Sequence, residues 1–204
     1  MIKSRFGTDL ARILQRLFPC LFRARIDPNA LTWIGTAVSG LAAFAIATGE
    51  LLVGGLLILA GGFFDLVDGV VARHRGCASE YGGFLDSSLD RLVDLMLFLG
   101  VILFLATEGD RLGLLLAAIA LIGSVMTSYI KARAELRGPP IEIGFFERAE
   151  RILVLAAGLL SGWLEAALWI LAFGSAYTEV VRFRAAGRGL RGLAPLDERP
   201  GGSP

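Results

Sequence analysis

The stretch that decides the fold runs over residues 65–90 and reads DLVDGVVARHRGCASEYGGFLDSSLD. It contains four aspartates, which stand three apart before the central RHRG and four apart after it, at positions 65, 68, 86 and 90. Such spacings place each pair of carboxylates on one face of a helix. Two helices joined by a short connection pack antiparallel, so the two acidic faces are predicted to meet.

The composition around this stretch is that of an integral membrane protein. Of the 204 residues, 55% are hydrophobic and 19% are charged, whereas a soluble domain has about 25% charged residues. These values exclude a disordered chain, a coiled coil and a nucleic-acid-binding tail, so no nucleic-acid partner is expected. Two cysteines exclude a disulfide framework, and one histidine excludes a histidine-rich metal or catalytic cluster.

Charge-poor runs predict six transmembrane helices, because a span needs about 20 residues. The predicted ranges are 30–49, 51–74, 82–107, 112–135, 147–163 and 165–185. Residues 2–22 instead show apolar residues at helical spacing opposite a basic face, which predicts an amphipathic helix on the membrane surface. The expected fold is therefore all-α and membrane-integral. It comprises an amphipathic juxtamembrane helix over 1–26, a six-helix domain over 27–185 and a disordered tail over 186–204.

The distribution of basic residues predicts the orientation in the membrane. All of them except Arg91 and Arg111 fall in the N-terminal segment, in the connections after the second and fourth helices, or in the tail. Because cytoplasmic connections carry the excess of Lys and Arg, these regions are expected on the cytoplasmic side of the cell membrane. Both termini and the acidic stretch are then cytoplasmic.

The four aspartates need a counterion, because an ionised group at membrane depth costs about 2.5–3.5 kcal/mol on insertion scales. A hard divalent cation with oxygen ligands is the natural partner, which favours Mg²⁺, Mn²⁺ or Ca²⁺ over Zn²⁺. A pair of such ions is possible. Arg73 and several glycines accompany the acids, and a divalent cation with an arginine beside a small-residue cleft suits a pyrophosphate substrate.

The same stretch resembles the signature of the CDP-alcohol phosphotransferase family. Its pattern D-x2-D-G-x2-A-R-x8-G-x3-D-x3-D is matched at all eight positions by Asp65, Asp68, Gly69, Ala72, Arg73, Gly82, Asp86 and Asp90. The resemblance covers nearly the whole chain. It implies an enzyme that transfers a phospho-alcohol group from a CDP-linked donor to a hydroxyl acceptor, with release of CMP.

The resemblance also implies roles for individual residues. Two Mg²⁺ or Mn²⁺ ions would be bound by Asp65, Asp68, Asp86 and Asp90, and Asp90 would be the general base on the acceptor hydroxyl. The CDP donor would be bound by Asn29, Ala30, Leu31, Thr32, Asp65, Gly69, Arg73 and Ser79. Asp94 lies outside the signature and would either support the site or bond between helices.

The acceptor is indicated by positions around and beyond the signature. Ser87 and Arg91 replace the Pro and Lys that tend to occur in synthases of phosphatidylglycerol phosphate. The segments 128–135 and 147–151 resemble the phosphatidylinositol-phosphate synthase subgroup, as does Arg182. In that subgroup a cationic pocket binds the phosphate of inositol phosphate, and the matching residues here are Lys131, Arg148, Arg151 and Arg182. The resemblance further implies a homodimer.

Several functions are compatible with the sequence. The favoured function is metal-dependent transfer of a phosphatidyl group from CDP-diacylglycerol to inositol phosphate. Alternatives within the family are synthesis of phosphatidylglycerol phosphate, an archaeal ether-lipid donor and CDP-inositol as donor. A divalent-cation transporter is the alternative from another class, since it would use the same acids as its pathway. The position of the acids near the predicted cytoplasmic helix ends, away from the midplane, disfavours it.

Overall fold

The computed structural model describes residues 27–136 and 146–191. This part of the chain consists of six α-helices and contains no strand. They are α1 Pro28–Ala47, α2 Leu51–His74, α3 Glu80–Glu108, α4 Arg111–Glu135, α5 Arg148–Ser161 and α6 Leu164–Arg191. The amphipathic helix predicted within residues 1–26 lies outside the described residues.

The helix boundaries follow the predicted ranges closely, with one clear difference at the end. The sequence predicts a disordered tail from residue 186, but α6 continues to Arg191. Alanine and arginine favour helix strongly enough to offset isolated glycines, so the helix propagates beyond its apolar part. Residues 192–204 lie outside the described part of the chain.

Four of the six helices are long and apolar enough to cross a membrane: α1, α2, α4 and the part of α6 up to Gly189. Six transmembrane helices were expected. The other two predicted spans correspond to α3 and α5. Helix α3 carries several charged residues in its first half, which lowers its hydropathy there. Helix α5 has 14 residues, which gives a length of about 21 Å at 1.5 Å per residue. That is shorter than a hydrocarbon core of about 30 Å.

Local signals in the sequence set where the helices begin and end. At the start of α1, the Asp27 side chain caps the helix by accepting a hydrogen bond from the Asn29 amide, and Pro28 occupies the first turn. After α2 the chain turns at Gly76, which has a φ of 63°, and α5 ends at Gly162 with a φ of 76°. Glycine adopts this left-handed conformation without steric cost.

The chain divides into two compact units at residue 100. In the first unit α1 packs along α2, and small residues permit a close approach. A Cβ added to Gly61 would lie 3.2 Å from the Gly35 carbonyl oxygen. Near the start of α1 and the end of α2, Leu31 packs in a core with Val67, Val70 and Val71. This packing fixes the helix ends from which the functional side chains extend.

In the second unit α6 packs against both α4 and α5. Gly123 of α4 approaches Ser175 of α6 so closely that an added Cβ would lie 2.6 Å from the serine Cβ. Leu155 and Leu159 of α5 and Leu168 of α6 are fully buried. The second unit therefore has a buried, tightly packed core of its own.

Candidate active site

Three carboxylates converge between the C-terminal part of α2 and the start of α3. One ligand oxygen from each of Asp65, Asp68 and Asp86 lies within 4.8 Å of the others. Asp68 is buried, with 5% of its surface exposed, and the other two are half-buried. The convergence follows from the spacing in the sequence, since the three-residue interval puts Asp65 and Asp68 on the face of α2 that meets Asp86.

This arrangement fits a hard divalent cation. Oxygens on opposite sides of a Mg²⁺ ion at about 2.1 Å lie about 4.2 Å apart, so carboxylates within 4.8 Å of one another need only a small adjustment. Three carboxylates at such distances repel each other strongly unless a cation balances them. The donor set consists of oxygen alone, as Mg²⁺ and Mn²⁺ prefer.

The remaining two aspartates lie further along α3. Asp90 follows Asp86 by one helical turn, is half-buried and does not belong to the group of three. Its predicted roles as metal ligand and general base therefore stay predictions. Asp94 follows after another turn and is 5% exposed, so it is buried within the protein and lies outside that group as well.

A cavity of about 260 Å³ adjoins the carboxylates. Five of the eight residues predicted to bind the donor line it: Asn29, Thr32, Gly69, Arg73 and Ser79. Asp68 and Asp86 also line it. The cavity therefore joins a cationic side chain to two members of the acidic group, which is the combination that a pyrophosphate bound through a divalent cation needs.

Glycines shape this cavity by leaving room beside the polar groups. An added Cβ at Gly69 would lie 3.4 Å from Nη1 of Arg73, so the guanidinium lies over this glycine. An added Cβ at Gly82 would lie 3.2 Å from the Ser79 hydroxyl and 3.4 Å from Oδ1 of Asn29. The amide of Gly82 donates a hydrogen bond of 3.0 Å to the Ser79 hydroxyl, which closes the turn before α3.

Three residues predicted to bind the donor do not line the cavity. Ala30 is exposed, Leu31 belongs to the apolar core, and Asp65 contributes only to the acidic group. Conversely, Asp27 and Cys77 line the cavity although neither belongs to the motifs in the sequence. The capping position of Asp27 next to Asn29 is a signal that could have identified it.

One hydrogen bond connects α1 directly to the acidic group. The Thr32 hydroxyl donates to Oδ2 of Asp68 over 2.6 Å, and the bond is buried. The same hydroxyl oxygen lies 3.1 Å from the carbonyl oxygen of Pro28, one turn earlier in α1. The two bonded side chains are 36 residues apart in the sequence, so no local pattern could predict this contact.

The predicted acceptor residues belong to the second unit, where two of them are buried. Arg151 is 3% exposed and Arg182 is 4% exposed. Arg182 donates from Nη1 to the Thr127 carbonyl over 3.3 Å, and its Nη2 lies 3.8 Å from a carboxylate oxygen of Glu147. Arg151 donates to the Phe146 carbonyl over 3.3 Å.

The other two acceptor candidates, Lys131 and Arg148, are half-buried. Lys131 lies near the end of α4 and Arg148 begins α5. The four cations thus come from three helices of one compact unit. Buried arginines are rare without a structural or ligand-binding reason, and in this unit their planar donor groups would suit a phosphate.

The fold and the site together define an all-helical protein with apolar helices and a carboxylate cation site beside a polar cavity. The chain belongs to the CDP-alcohol phosphatidyltransferase family, whose family model matches residues 25–180. It is therefore a transferase of the CDP-alcohol phosphotransferase type.

Relatives with named activities are similar over most of the chain. An archaetidylinositol phosphate synthase of Methanothermobacter thermautotrophicus is 39% identical over 189 residues, which cover 85% of this chain and 94% of the relative. A phosphatidylinositol phosphate synthase of Mycobacteroides abscessus is 38% identical over 184 residues, which cover 86% of this chain and 84% of the relative.

Solved structures of the Mycobacterium tuberculosis phosphatidylinositol phosphate synthase share the fold. The structure of that protein with CDP-DAG bound has a TM-score of 0.78 and 30% sequence identity, and the match covers 94% of this chain and 98% of that one. A second structure of the same protein, in complex with manganese and citrate, also has a TM-score of 0.78 and covers 93% and 92% of the two chains.

Proposed function

We propose that this protein transfers the phosphatidyl group of CDP-diacylglycerol to a hydroxyl of inositol phosphate, giving phosphatidylinositol phosphate and CMP. The observation that carries the proposal is the convergence of three carboxylates within 4.8 Å beside a cavity that also contains Arg73. The family membership defines the type of reaction, and the relatives named above are synthases of phosphatidylinositol phosphate or archaetidylinositol phosphate.

The donor end of the reaction is assigned to the cavity of the first unit. Arg73 is positioned to bind an anionic oxygen of the pyrophosphate, and the missing side chains at Gly69 and Gly82 make room for Arg73, Ser79 and Asn29, which line the cavity proposed to bind the nucleotide. Asp65, Asp68 and Asp86, together with Asp90, are proposed to bind two Mg²⁺ or Mn²⁺ ions. When bound, these divalent ions would neutralise the negative charge that develops on the CMP leaving group.

Asp90 is proposed to remove the proton from the acceptor hydroxyl. The hydroxyl oxygen then forms a bond to the β-phosphorus of the donor, and the bond from that phosphorus to the bridging oxygen breaks. The electron pair of the broken bond leaves with CMP, and the proton stays on the Asp90 carboxylate until solvent removes it. A base of this kind accelerates a reaction by about 10²–10⁴-fold.

The acceptor phosphate is assigned to the four cations of the second unit. Arg151 and Arg182 provide rigid planar donors, because each is held by a hydrogen bond to a backbone carbonyl. Lys131 and Arg148 add charge from positions that are half-buried and accessible. Such a set favours a phosphorylated acceptor over serine or free inositol, since a dianion compensates several cations at once.

The membrane arrangement is part of the proposal. Helices α3 and α5 would complete a set of six spans together with the four apolar helices, and the basic connections would lie in the cytoplasm. The amphipathic segment over residues 1–26 would lie on the same membrane surface, the six-helix domain would cover residues 27–185, and the protein would act as a homodimer. CDP-diacylglycerol would then reach the cavity with its acyl chains still in the lipid.

The test is an assay of the detergent-purified protein with CDP-diacylglycerol and Mg²⁺ or Mn²⁺. Inositol 1-phosphate, glycerol 3-phosphate, serine and free inositol are supplied in turn, and both CMP and the lipid product are measured. We expect CMP and a lipid product only with inositol 1-phosphate, and neither when the metal is chelated. Product with glycerol 3-phosphate alone would identify a phosphatidylglycerol phosphate synthase, and metal uptake without CMP would identify a transporter.

A second candidate differs in the donor lipid. The identity to the archaetidylinositol phosphate synthase is 39%, against 38% for the bacterial phosphatidylinositol phosphate synthase, which makes an ether-lipid donor the alternative. The same assay with the CDP-activated ether lipid in place of CDP-diacylglycerol compares the two donors directly. If kcat/KM were at least tenfold higher with the ether lipid than with CDP-diacylglycerol, the ether lipid would be identified as the donor.

A further inference from the structure

The hydrogen bond between Thr32 and Asp68 joins a helix that carries no acidic ligand to the most buried member of the acidic group. Thr32 lies in α1 and is 8% exposed, and Asp68 lies in α2 and is 5% exposed. Their oxygens are 2.6 Å apart, within the range of about 2.5–2.7 Å that a hydroxyl donating to a carboxylate adopts. This is a short, charge-assisted contact that solvent scarcely reaches.

The Thr32 hydroxyl has one proton and two acceptors within reach. The Pro28 carbonyl oxygen lies at 3.1 Å and the Asp68 carboxylate at 2.6 Å. Since a hydrogen bond to a carboxylate is roughly twice as strong as one to a neutral acceptor, the Thr32 hydroxyl donates its proton toward the Asp68 carboxylate. The Thr32 side chain is therefore occupied by a protein partner, although it lines the cavity.

The contact has a mechanical consequence for the carboxylate. Asp65 and Asp86 lie within 4.8 Å of Asp68, and their like charges would drive the Asp68 side chain away from them. The hydrogen bond opposes this rotation and satisfies one oxygen of a group that has little access to water. The backbone of α1 is itself fixed here, because Leu31 packs against Val67 and Val71 of α2.

We propose that Thr32 is a positioning residue whose hydroxyl holds the Asp68 carboxylate in the orientation that binds the divalent cation. The inference rests on the cation site of the proposed function. It goes beyond that function by giving Thr32 the role of orienting the metal ligand Asp68. The family resemblance instead implies that Thr32 contacts the donor. The two assignments differ in what a substitution changes, which is metal affinity in one case and donor affinity in the other.

The decisive variants are Thr32→Val, which keeps the branched shape and removes the hydroxyl, and Thr32→Ser, which keeps the hydroxyl. The matched control is Thr36→Val. Thr36 lies one turn further along α1 and donates to the Thr32 carbonyl over 2.9 Å, so its substitution also removes a hydroxyl bonded within the helix. It leaves the bond to Asp68 in place.

The measurement is Mn²⁺ binding to each purified, substrate-free protein, followed by the electron paramagnetic resonance signal of free Mn²⁺. Loss of a group that orients a metal ligand weakens metal binding by about 10–100-fold. We expect Thr32→Val to show such a loss, whereas Thr32→Ser and Thr36→Val stay within about threefold of the wild-type protein. The KM for CDP-diacylglycerol at saturating Mn²⁺ is measured on the same samples and is expected to change little.

Three results would overturn the inference. One is unchanged Mn²⁺ affinity in Thr32→Val, and another is a raised KM for CDP-diacylglycerol without a change in Mn²⁺ affinity, which would restore the donor contact. If Thr32→Val and Thr32→Ala both fail to give folded protein while Thr32→Ser folds, the hydroxyl serves the fold and the inference also fails. An absence of Mn²⁺ binding by the wild-type protein would instead overturn the proposed function, and this inference with it.

Discussion

Among single residues, Asp90 has the most specific proposed role, that of the general base, because a hydroxyl acceptor must lose its proton as it attacks phosphorus. We predict that Asp90→Asn lowers kcat by at least about 100-fold, as expected when a general base is removed. The change is nearly isosteric, so the melting temperature should stay close to that of the wild-type protein. CMP release and thermal unfolding measured on the same sample check both parts.

Glu80→Gln is the control for this prediction. Glu80 begins the same helix and is exposed, so its substitution removes one negative charge from α3 away from the three converging carboxylates. It should leave kcat within about twofold of wild type, as a remote surface substitution does. Wild-type turnover in Asp90→Asn would contradict the assignment of the base.

A second residue-level prediction concerns Lys131 at the end of α4. Lys131→Gln should raise the KM for inositol 1-phosphate by about 10–100-fold, because a hydrogen bond to a charged group contributes about 1.5–3 kcal/mol. The KM for CDP-diacylglycerol should change much less. Steady-state kinetics with each substrate varied separately distinguish the two constants.

Arg133→Gln provides the matched control, since Arg133 lies two residues further on the same helix and is exposed. A general loss of positive charge would affect both variants equally. Equal increases of the KM for both substrates in Lys131→Gln would count against a phosphate-binding role for this residue.

The residues that the sequence could identify are those tied to a fixed local spacing. The intervals between Asp65, Asp68 and Asp86 are set by helix geometry and a short connection, so their convergence was predictable. The contact between Thr32 and Asp68 was not, because it depends on how α1 packs on α2. Leu31 was assigned with its neighbours to the donor site, but adjacent helical residues point in different directions, and the structure places it in the core.

At the level of helices, the contact between α1 and α3 depends on Gly100. A Cβ added there would meet the backbone of Ala43, including its carbonyl oxygen. Because a backbone cannot rotate aside as a side chain can, Gly100→Ala should force the helices apart and cost about 1–3 kcal/mol. Thermal unfolding in detergent should show a lower melting temperature.

Gly62→Ala is the comparison for this prediction, since nothing lies within 4 Å of a Cβ added at Gly62. Alanine also has a higher helix propensity than glycine by about 1 kcal/mol, so this variant should be as stable as the wild type or more so. If both substitutions lowered the melting temperature equally, the steric contact between Gly100 and Ala43 would not be the cause of the loss.

Helix ranges were predictable because charged residues and glycines separate the apolar runs, and α2 begins and ends where the sequence predicted. The number of spanning helices was harder to predict. Hydropathy patterns joined α5 to its flanking residues, whereas the helix has only 14 residues. The end of α6 was also missed, since composition alone does not show how far a helix propagates.

For the whole molecule, the basic residues predict that the connection between α2 and α3 is cytoplasmic. Cys77 lies in this connection and is exposed, so it reports the orientation once Cys20 is replaced in the variant Cys20→Ala. A membrane-impermeant maleimide should label Cys77 in inside-out vesicles and not in right-side-out vesicles.

The control for orientation is a cysteine at the other end of α3, in the variant Glu108→Cys with Cys20→Ala and Cys77→Ala. Glu108 is exposed and should react from the outside only. The reverse labelling pattern at the two positions would mean that the topology is opposite to the one that the distribution of Lys and Arg predicts.

In the proposed function, the acidic group and the four cations serve one metal-dependent transfer to a phosphorylated acceptor. The most direct measurement is the release of CMP from CDP-diacylglycerol by the purified protein, with inositol 1-phosphate and free inositol compared at saturating Mn²⁺. We predict that inositol 1-phosphate gives CMP together with phosphatidylinositol phosphate, and that there is no turnover with free inositol or after removal of the metal. Equal turnover with the two acceptors, or turnover without a divalent cation, would contradict it.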